Sequence, residues 1–136
     1  MMLKFSFRFI TVSRVIHSSA ENVWDLLTDT ERWTEWGPSI NTVQCEHRYI
    51  RSGSKGRIRT VLGLWAPFII TEWMHRKYWS WRVFNIPATG HRIEAIDANC
   101  CRLIFEVPFW AGPYVIICKL AADRIARCVQ SAYSRN

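Results

Sequence analysis

Apolar and polar residues alternate at the start of the chain: Phe5, Phe7 and Phe9 are separated by Ser6 and Arg8, which predicts a strand over Phe5–Ile16 with one apolar face. The pattern then changes period. Ser18 with Glu21 three residues on matches a capping box, and Val23, Leu26 and Leu27 form a helical stripe behind it. Asp29 offers a second N-cap, Trp33 and Trp36 lie three apart, and Gly37-Pro38 is a stop signal, so Ser18–Ser39 predicts two short helices meeting at a corner. Strand-like segments follow at Ile40–Glu46, Arg57–Leu62, Phe68–His75, Tyr78–Phe84, His91–Ile96 and Cys101–Val107. Turn signals lie between them at Arg51–Gly56, Gly63–Pro67, Pro87–Gly90 and Asp97–Asn99. Strands spaced about ten residues apart predict an antiparallel meander. From roughly Trp110 to Tyr133 the period is helical again, with Tyr114, Ile117, Ala121, Ile125, Cys128 and Ala132 on one side and Lys119, Asp123, Arg124, Arg127 and Gln130 on much of the other. The order β-α-α-β6-α predicts an α+β domain whose seven-stranded curved sheet grips a long C-terminal helix.

With 136 residues, the expectation is a single domain over 1–136, without repeats or low-complexity segments. Eight Trp residues are unusual for this length, and such rings tile a core, line an apolar pocket or anchor an interface. The net charge of +7 permits anionic partners, but the basic residues are scattered. Their densest cluster, Arg48–Arg59, reads as a solvated hairpin loop; no nucleic-acid module is recognisable, so no specific nucleic-acid partner is expected. Five cysteines (Cys45, Cys100, Cys101, Cys118, Cys128) without a C-x-x-C pair argue against a disulfide framework and a four-ligand zinc site. They read as reduced thiols of a cytoplasmic protein, with no metal or cofactor expected. The apolar N-terminus is interrupted by Lys4, Arg8 and Arg14, with no signal-peptide core, and no run reaches the ~18 apolar residues that span a bilayer.

Longer phrases carry a family likeness. VSRVIHSSAENVWDLLTDTERWTEWGPSI resembles the opening of the START-related, birch-allergen-like (SRPBCC) superfamily, in its polyketide cyclase/dehydrase and lipid-transport branch. GSKGRIRT, ITEWMHRKYWSWRV and GHRIEAIDANCCRLIFEV extend the likeness over nearly the whole chain. One departure is Asn99-Cys100-Cys101, where many relatives have Gly-Thr or Gly-Ser in the last hairpin. The resemblance implies a helix-grip fold with a deep cavity between sheet and last helix. Relatives use that cavity for lipids, sterols, polyketides, plant hormones or aromatic intermediates, as enzymes, carriers or regulators, and the fold does not choose among these.

The polar inventory for chemistry in such a chamber is His75, His91, Glu72, Glu94, Asp97 and Tyr114. Strand alternation puts Ile69, Thr71, Trp73 and His75 on one face; with Trp73 inward, His75 would sit at the rim as an acid or base, its plainer reading being a surface residue at a strand end. His91 is either a pocket donor or a hydrogen-bonded strand-end residue. Glu72 and Glu94 fall on the opposite parity and are expected to face solvent near basic side chains. No Ser-His-Asp order, metal spacing or phosphate loop is present. The leading expectation is a carrier or sensor enclosing a small hydrophobic ligand (lipid, polyketide or aromatic) against Trp73, Trp79, Trp81, Phe105, Tyr114, Ile117 and Ala121, with Trp65, Phe68, Phe109 and Trp110 shaping the entrance. The enzyme alternative is a cyclase or dehydratase with His75 or His91 as base and Tyr114 as donor. A third reading is an interaction module whose exposed Trp and basic loops make transient contact with a protein or an anionic membrane.

Overall fold

The structure, a computed structural model, describes residues 2–5 and 9–134. Phe7 of the expected first strand lies outside the described residues, as do the side chains of Phe5, Ala132 and Tyr133. In chain order the elements are β1 (Met2–Phe5), β2 (Phe9–Ile16), α1 (Ala20–Thr28), α2 (Trp33–Trp36), β3 (Ile40–Cys45), β4 (Lys55–Thr60), β5 (Trp65–Met74), β6 (Tyr78–Val83), β7 (Ile86–Asp97), β8 (Cys100–Pro108) and α3 (Val115–Ser134). One antiparallel sheet runs β1-β2-β8-β7-β6-β5-β4-β3. The seven-strand helix-grip sheet is therefore there, with one addition. The expected first strand is represented by β2, and Met2–Phe5, which overlaps it only at Phe5, forms an additional short edge strand, β1, paired on β2.

The helical corner forms for local reasons. Ser19, one residue later than the pattern suggested, caps α1 by accepting from the Asn22 amide at 3.1 Å. Ser18 is instead buried and accepts from the Asn22 side chain, while Glu21 points outward near Arg76. Asp29 does begin a second turn, accepting from the Glu31 amide, and its buried carboxylate is held from both oxygens by Arg48 at 3.1 Å. The Arg48 segment is thus tied to the corner through that pair and through the Thr30 amide and hydroxyl on the Arg48 carbonyl, rather than being simply a solvated loop. Trp33 and Trp36 donate their indole N–H groups to the Leu27 and Leu26 carbonyls at 2.9 and 3.1 Å, satisfying acceptors that the end of α1 leaves free.

The sheet is bent by bulges. Between the pairs Ile70↔Trp81 and Glu72↔Ser80, Thr71 is an extra residue on β5. Between Ser80↔Gly90 and Arg82↔Pro87, Ala88 and Thr89 oppose Trp81 alone. Two bulges therefore meet at Trp81 from either side, increasing local twist and curving the sheet around the core. They also reset parity: Ala66, Phe68 and Ile70 face the core before Thr71, and strict alternation through Trp73 and His75 does not hold. The expected turn at Pro87–Gly90 is strand; the chain reverses at Phe84-Asn85, whose φ values of 54° and 61° make a two-residue hairpin of the primed kind. Pro87 is tolerated because β8 pairs with β7 only from Gly90 onward, leaving that stretch of β7 without its second neighbour.

The last helix starts at Val115, later than the expected Trp110, because Ala111 is non-helical and Pro113 follows Gly112; Phe109–Tyr114 forms a 3₁₀ segment instead. The buried stripe of α3 is Cys118, Ala121, Ala122, Ile125, Ala126 and Val129, with Ile117 and Cys128 half-buried at its margins. Small alanines let the helix backbone come close to the sheet. Arg14 on β2 pairs with Asp123, and the His17 amide donates to Gln130, fixing the helix along β2.

Candidate functional site

The space between sheet and α3 is occupied by aromatic rings. Trp33 is central: it stacks on Trp79 at 5.6 Å with planes 7° apart, and meets Trp81 and Phe68 at 5.5 Å. Trp36 closes the side toward His91 and Phe105, both at 6.4 Å. What stays free between them is a partly closed space of about 30 Å³, room for about one water molecule, lined among others by Trp36, Trp79, Trp81, Phe105, Ile117 and Ala121. A deep preformed cavity is thus absent among the described residues, and the volume that the resemblance implied is filled by indoles from the α1–α2 corner.

His91 borders that cavity. It is 3% exposed and stacks on Trp79 at 3.8 Å. Its Nδ1 lies 3.2 Å from the Trp79 carbonyl, which can only accept, so Nδ1 carries the proton. Nε2 is then an acceptor, 3.3 Å from the Thr89 hydroxyl, and that hydroxyl in turn accepts from the Trp81 indole N–H at 3.0 Å. Burial disfavours the imidazolium and pushes the His91 pKa down to about 3, despite the Trp79 carbonyl favouring the charged form. At neutral pH His91 is an uncharged ring with both nitrogens engaged, at mid-strand rather than at a strand end.

Beside the cavity lies a larger, open groove of about 300 Å³ with mostly apolar walls. Ile58, Ala66, Val83, Ala88 and Trp110 line it. Ser39, Trp81, Thr89 and Tyr114 border both spaces, so groove and cavity share one partition. Ser39 and Tyr114 close it with a 2.9 Å hydrogen bond between their hydroxyls. Tyr114 is 36% exposed; partial burial raises its pKa, offset in part by the Ser39 bond. Two buried polar atoms nearby, Trp79 Nε1 and Thr60 Oγ1, have no hydrogen-bond partner among the described residues.

The expected site residues separate into groups. Trp79, Trp81, Phe105, Tyr114, Ile117 and Ala121 border the small inner space. Trp73 borders neither space: the Thr71 bulge brings it to the core side, but near the end of β5, where it packs edge-on against Trp24 of α1 at 5.3 Å. His75 is exposed in the β5–β6 turn, 6.2 Å from Trp24, and is a surface residue rather than a rim acid or base. Of the expected entrance residues Trp110 borders the groove, whereas Phe68 is buried against Trp33 and Trp81, Trp65 lies outside under Arg57 at 4.2 Å, and Phe109 faces the other side of the sheet. Glu94 meets Arg102 across the strand pair at 3.8 Å, and Glu72 is exposed because the Thr71 bulge turns it away from the side of buried Ile70. Trp33, Trp36, Ser39 and Thr89 belong to the site without having been assigned to it. The three-residue spacing puts both indoles on one face, but a four-residue helix has no period to say which way that face turns.

The outer face of the sheet carries a wider, more polar depression of about 620 Å³. There Tyr78 lies across Gly90, where a Cβ would come within 2.6 Å of its hydroxyl, and Arg92 stacks on its ring at 4.5 Å. Burial and then Glu106 raise the Tyr78 pKa. Among the described residues no three His, Cys, Asp or Glu side chains are grouped to hold a metal, and no helix is long and apolar enough to cross a membrane.

A family model described as polyketide cyclase / dehydrase and lipid transport matches residues 9–134. Among solved structures, the protein XoxI of Bacillus cereus superposes with a TM-score of 0.71 at 13% identity, over 90% of this chain and 96% of that one. A START superfamily protein from Mycobacterium smegmatis gives a TM-score of 0.70 at 12% identity, over 92% and 99% of the two chains. A protein from Nitrosomonas europaea gives 0.71 at 13% identity, over 96% and 99%. At these identities the structures speak for the fold alone. No curated protein matches the chain in sequence.

Proposed function

The chain belongs to the polyketide cyclase/dehydrase and lipid transport family, and on that premise we propose that it is a carrier or sensor for a small hydrophobic or aromatic molecule held in the groove beneath Trp110. The observation that carries this reading is the wall of Ser39, Trp81, Thr89 and Tyr114 that the ~300 Å³ apolar groove shares with the small inner space. Such a volume stands at the lower end of the range for small-molecule sites, about 300–1,000 Å³. It suits a molecule of a few rings or a short acyl chain, not a two-chain lipid. Moving Tyr114 away from Ser39 would join the two spaces and bring a polar end of the guest toward Trp79 Nε1, a buried donor without a partner among the described residues.

Binding is favoured over catalysis by the state of the histidines. A cyclase or dehydratase of this kind needs a group that exchanges protons near neutral pH. His91 is held neutral with both nitrogens engaged, and His75 is outside the chamber.

Calorimetric titration with fused-ring aromatics, phenolic polyketide analogues, medium-chain fatty acids and sterols tests the reading. At least one compact aromatic or acyl compound is expected to bind with one-to-one stoichiometry. Ala88→Phe, which fills the groove, should weaken it at least about tenfold, while Trp73→Ala should leave affinity unchanged. Absence of binding across the panel, or binding indifferent to Ala88→Phe, would overturn it.

A further inference from the structure

The mouth of the groove is fringed by apolar side chains that nothing covers. Leu62 is 84% exposed at the tip of the β4–β5 hairpin, with Leu64 beside it; Phe84 and Ile86 flank the β6–β7 turn; Trp110, 66% exposed, stands on the 3₁₀ segment before α3. Hydrogen bonds place these three tips around one opening. The Val61 amide donates to the Ser39 carbonyl at 3.1 Å, the Ser39 hydroxyl meets Tyr114, and the Phe84 amide donates to the Pro67 carbonyl at 2.9 Å. Phe84 and Trp110 themselves line the groove.

The tips stand on stretches that carry no carboxylate, although the outer-face depression that Arg82 and Trp110 also line contains Glu72 and Glu106. The stretches 54–71, 81–93 and 107–122 contain no Asp or Glu. Arg59 lies against the Gly63 tip, and Arg82 donates to the Asn85 carbonyl at 3.1 Å. Neither takes part in an ion pair among the described residues.

We propose that this end of the molecule docks on an anionic lipid bilayer, with Leu62, Leu64, Phe84 and Trp110 entering the headgroup boundary and Arg59 and Arg82 meeting lipid phosphates. Charge complementarity selects this occupant: apolar tips on stretches without Asp or Glu, flanked by two arginines that form no ion pair among the described residues, match a negatively charged leaflet. The tips sit on three separate loops. A fluid phase accepts separate projecting side chains, whereas a rigid protein partner would need a socket for each. The inference does not depend on the groove being a ligand site, and its test is run without a groove ligand.

Flotation of the intact chain with vesicles tests it, comparing pure phosphatidylcholine with phosphatidylcholine containing about a third phosphatidylserine. The protein is expected to float with the anionic vesicles and not with the neutral ones. Leu62→Ser combined with Phe84→Ser, which leaves the charge unchanged, should reduce partitioning at least about tenfold, and Arg59→Gln and Arg82→Gln about fivefold each. Arg102→Gln, at the distant Glu94 pair, should change nothing, and thermal midpoints of the tip variants should match the parent, since these side chains are exposed. Partitioning indifferent to the apolar substitutions would reduce the effect to net charge and overturn the proposal. So would absence of flotation at low salt, or a self-association abolished by Leu62→Ser, which would make a second copy the occupant.

Discussion

His91 can take up a proton only by losing the bond from Thr89 and placing a charge between Trp79 and Phe105, and that has a measurable pH signature. Its pKa is about 3 in the folded protein against an ordinary 6.5. Between these values the unfolded chain binds more protons, so the contribution of His91 is complete above pH 6.5 and is lost as pH falls toward 3, by up to about 1.4 kcal/mol per pH unit. Between pH 7 and pH 5 the parent should therefore lose about 2 kcal/mol more stability than His91→Gln, which cannot titrate. Urea unfolding of both proteins at the two pH values checks this, and equal losses would mean that the ring is already solvated. His91 also shows where sequence stops at this scale. Its inward parity was readable from Ile93 and Ala95, but the partners that make it inert, Thr89 and the Trp79 carbonyl, are set by a bulge that no local pattern announces.

At the scale of elements, alternation and turn chemistry made the seven main strands and the long helix legible, because each buries one face and so must carry a period. Elements too short to have a period were opaque. Helix α2 has four residues, and nothing in WTEW says that both indoles turn inward to fill the chamber and cap α1. The bulge at Thr71 was equally silent: it separates Trp73 from Ile69 and Thr71, with which strict alternation grouped it, and turns it to the core side, while His75 lies beyond the strand in the turn. The role of α2 as a plug can be tested directly. Trp33→Ala should cost about 3–5 kcal/mol and leave an apolar hole beside Trp79 and Phe68. Added indole should bind there and recover part of the loss, seen as a rise in thermal midpoint that the parent protein does not show. A variant that is destabilised but unresponsive to indole would mean that α3 and the sheet had closed over the gap.

At the scale of the whole molecule, two thiols mark opposite walls of the core. Cys101 on β8 and Cys118 on α3 are buried, and burial pushes their pKa values up to about 11 and about 12. Neither is a useful nucleophile in the native state. Both should react with a thiol reagent at one common rate, that of global opening, which urea accelerates in parallel. Faster labelling of Cys118 alone would identify lifting of α3 as a separate motion, the kind a guest would need to pass Tyr114. The stacking of Trp33 on Trp79, with Trp81 5.5 and 5.7 Å away, has an optical consequence. Rings this close pass excitation energy among themselves faster than they emit, so their light is depolarised even though the rings are rigidly packed. The three indoles behave as a single antenna, and a quencher that touches only Trp81 at the groove wall darkens Trp33 and Trp79 with it.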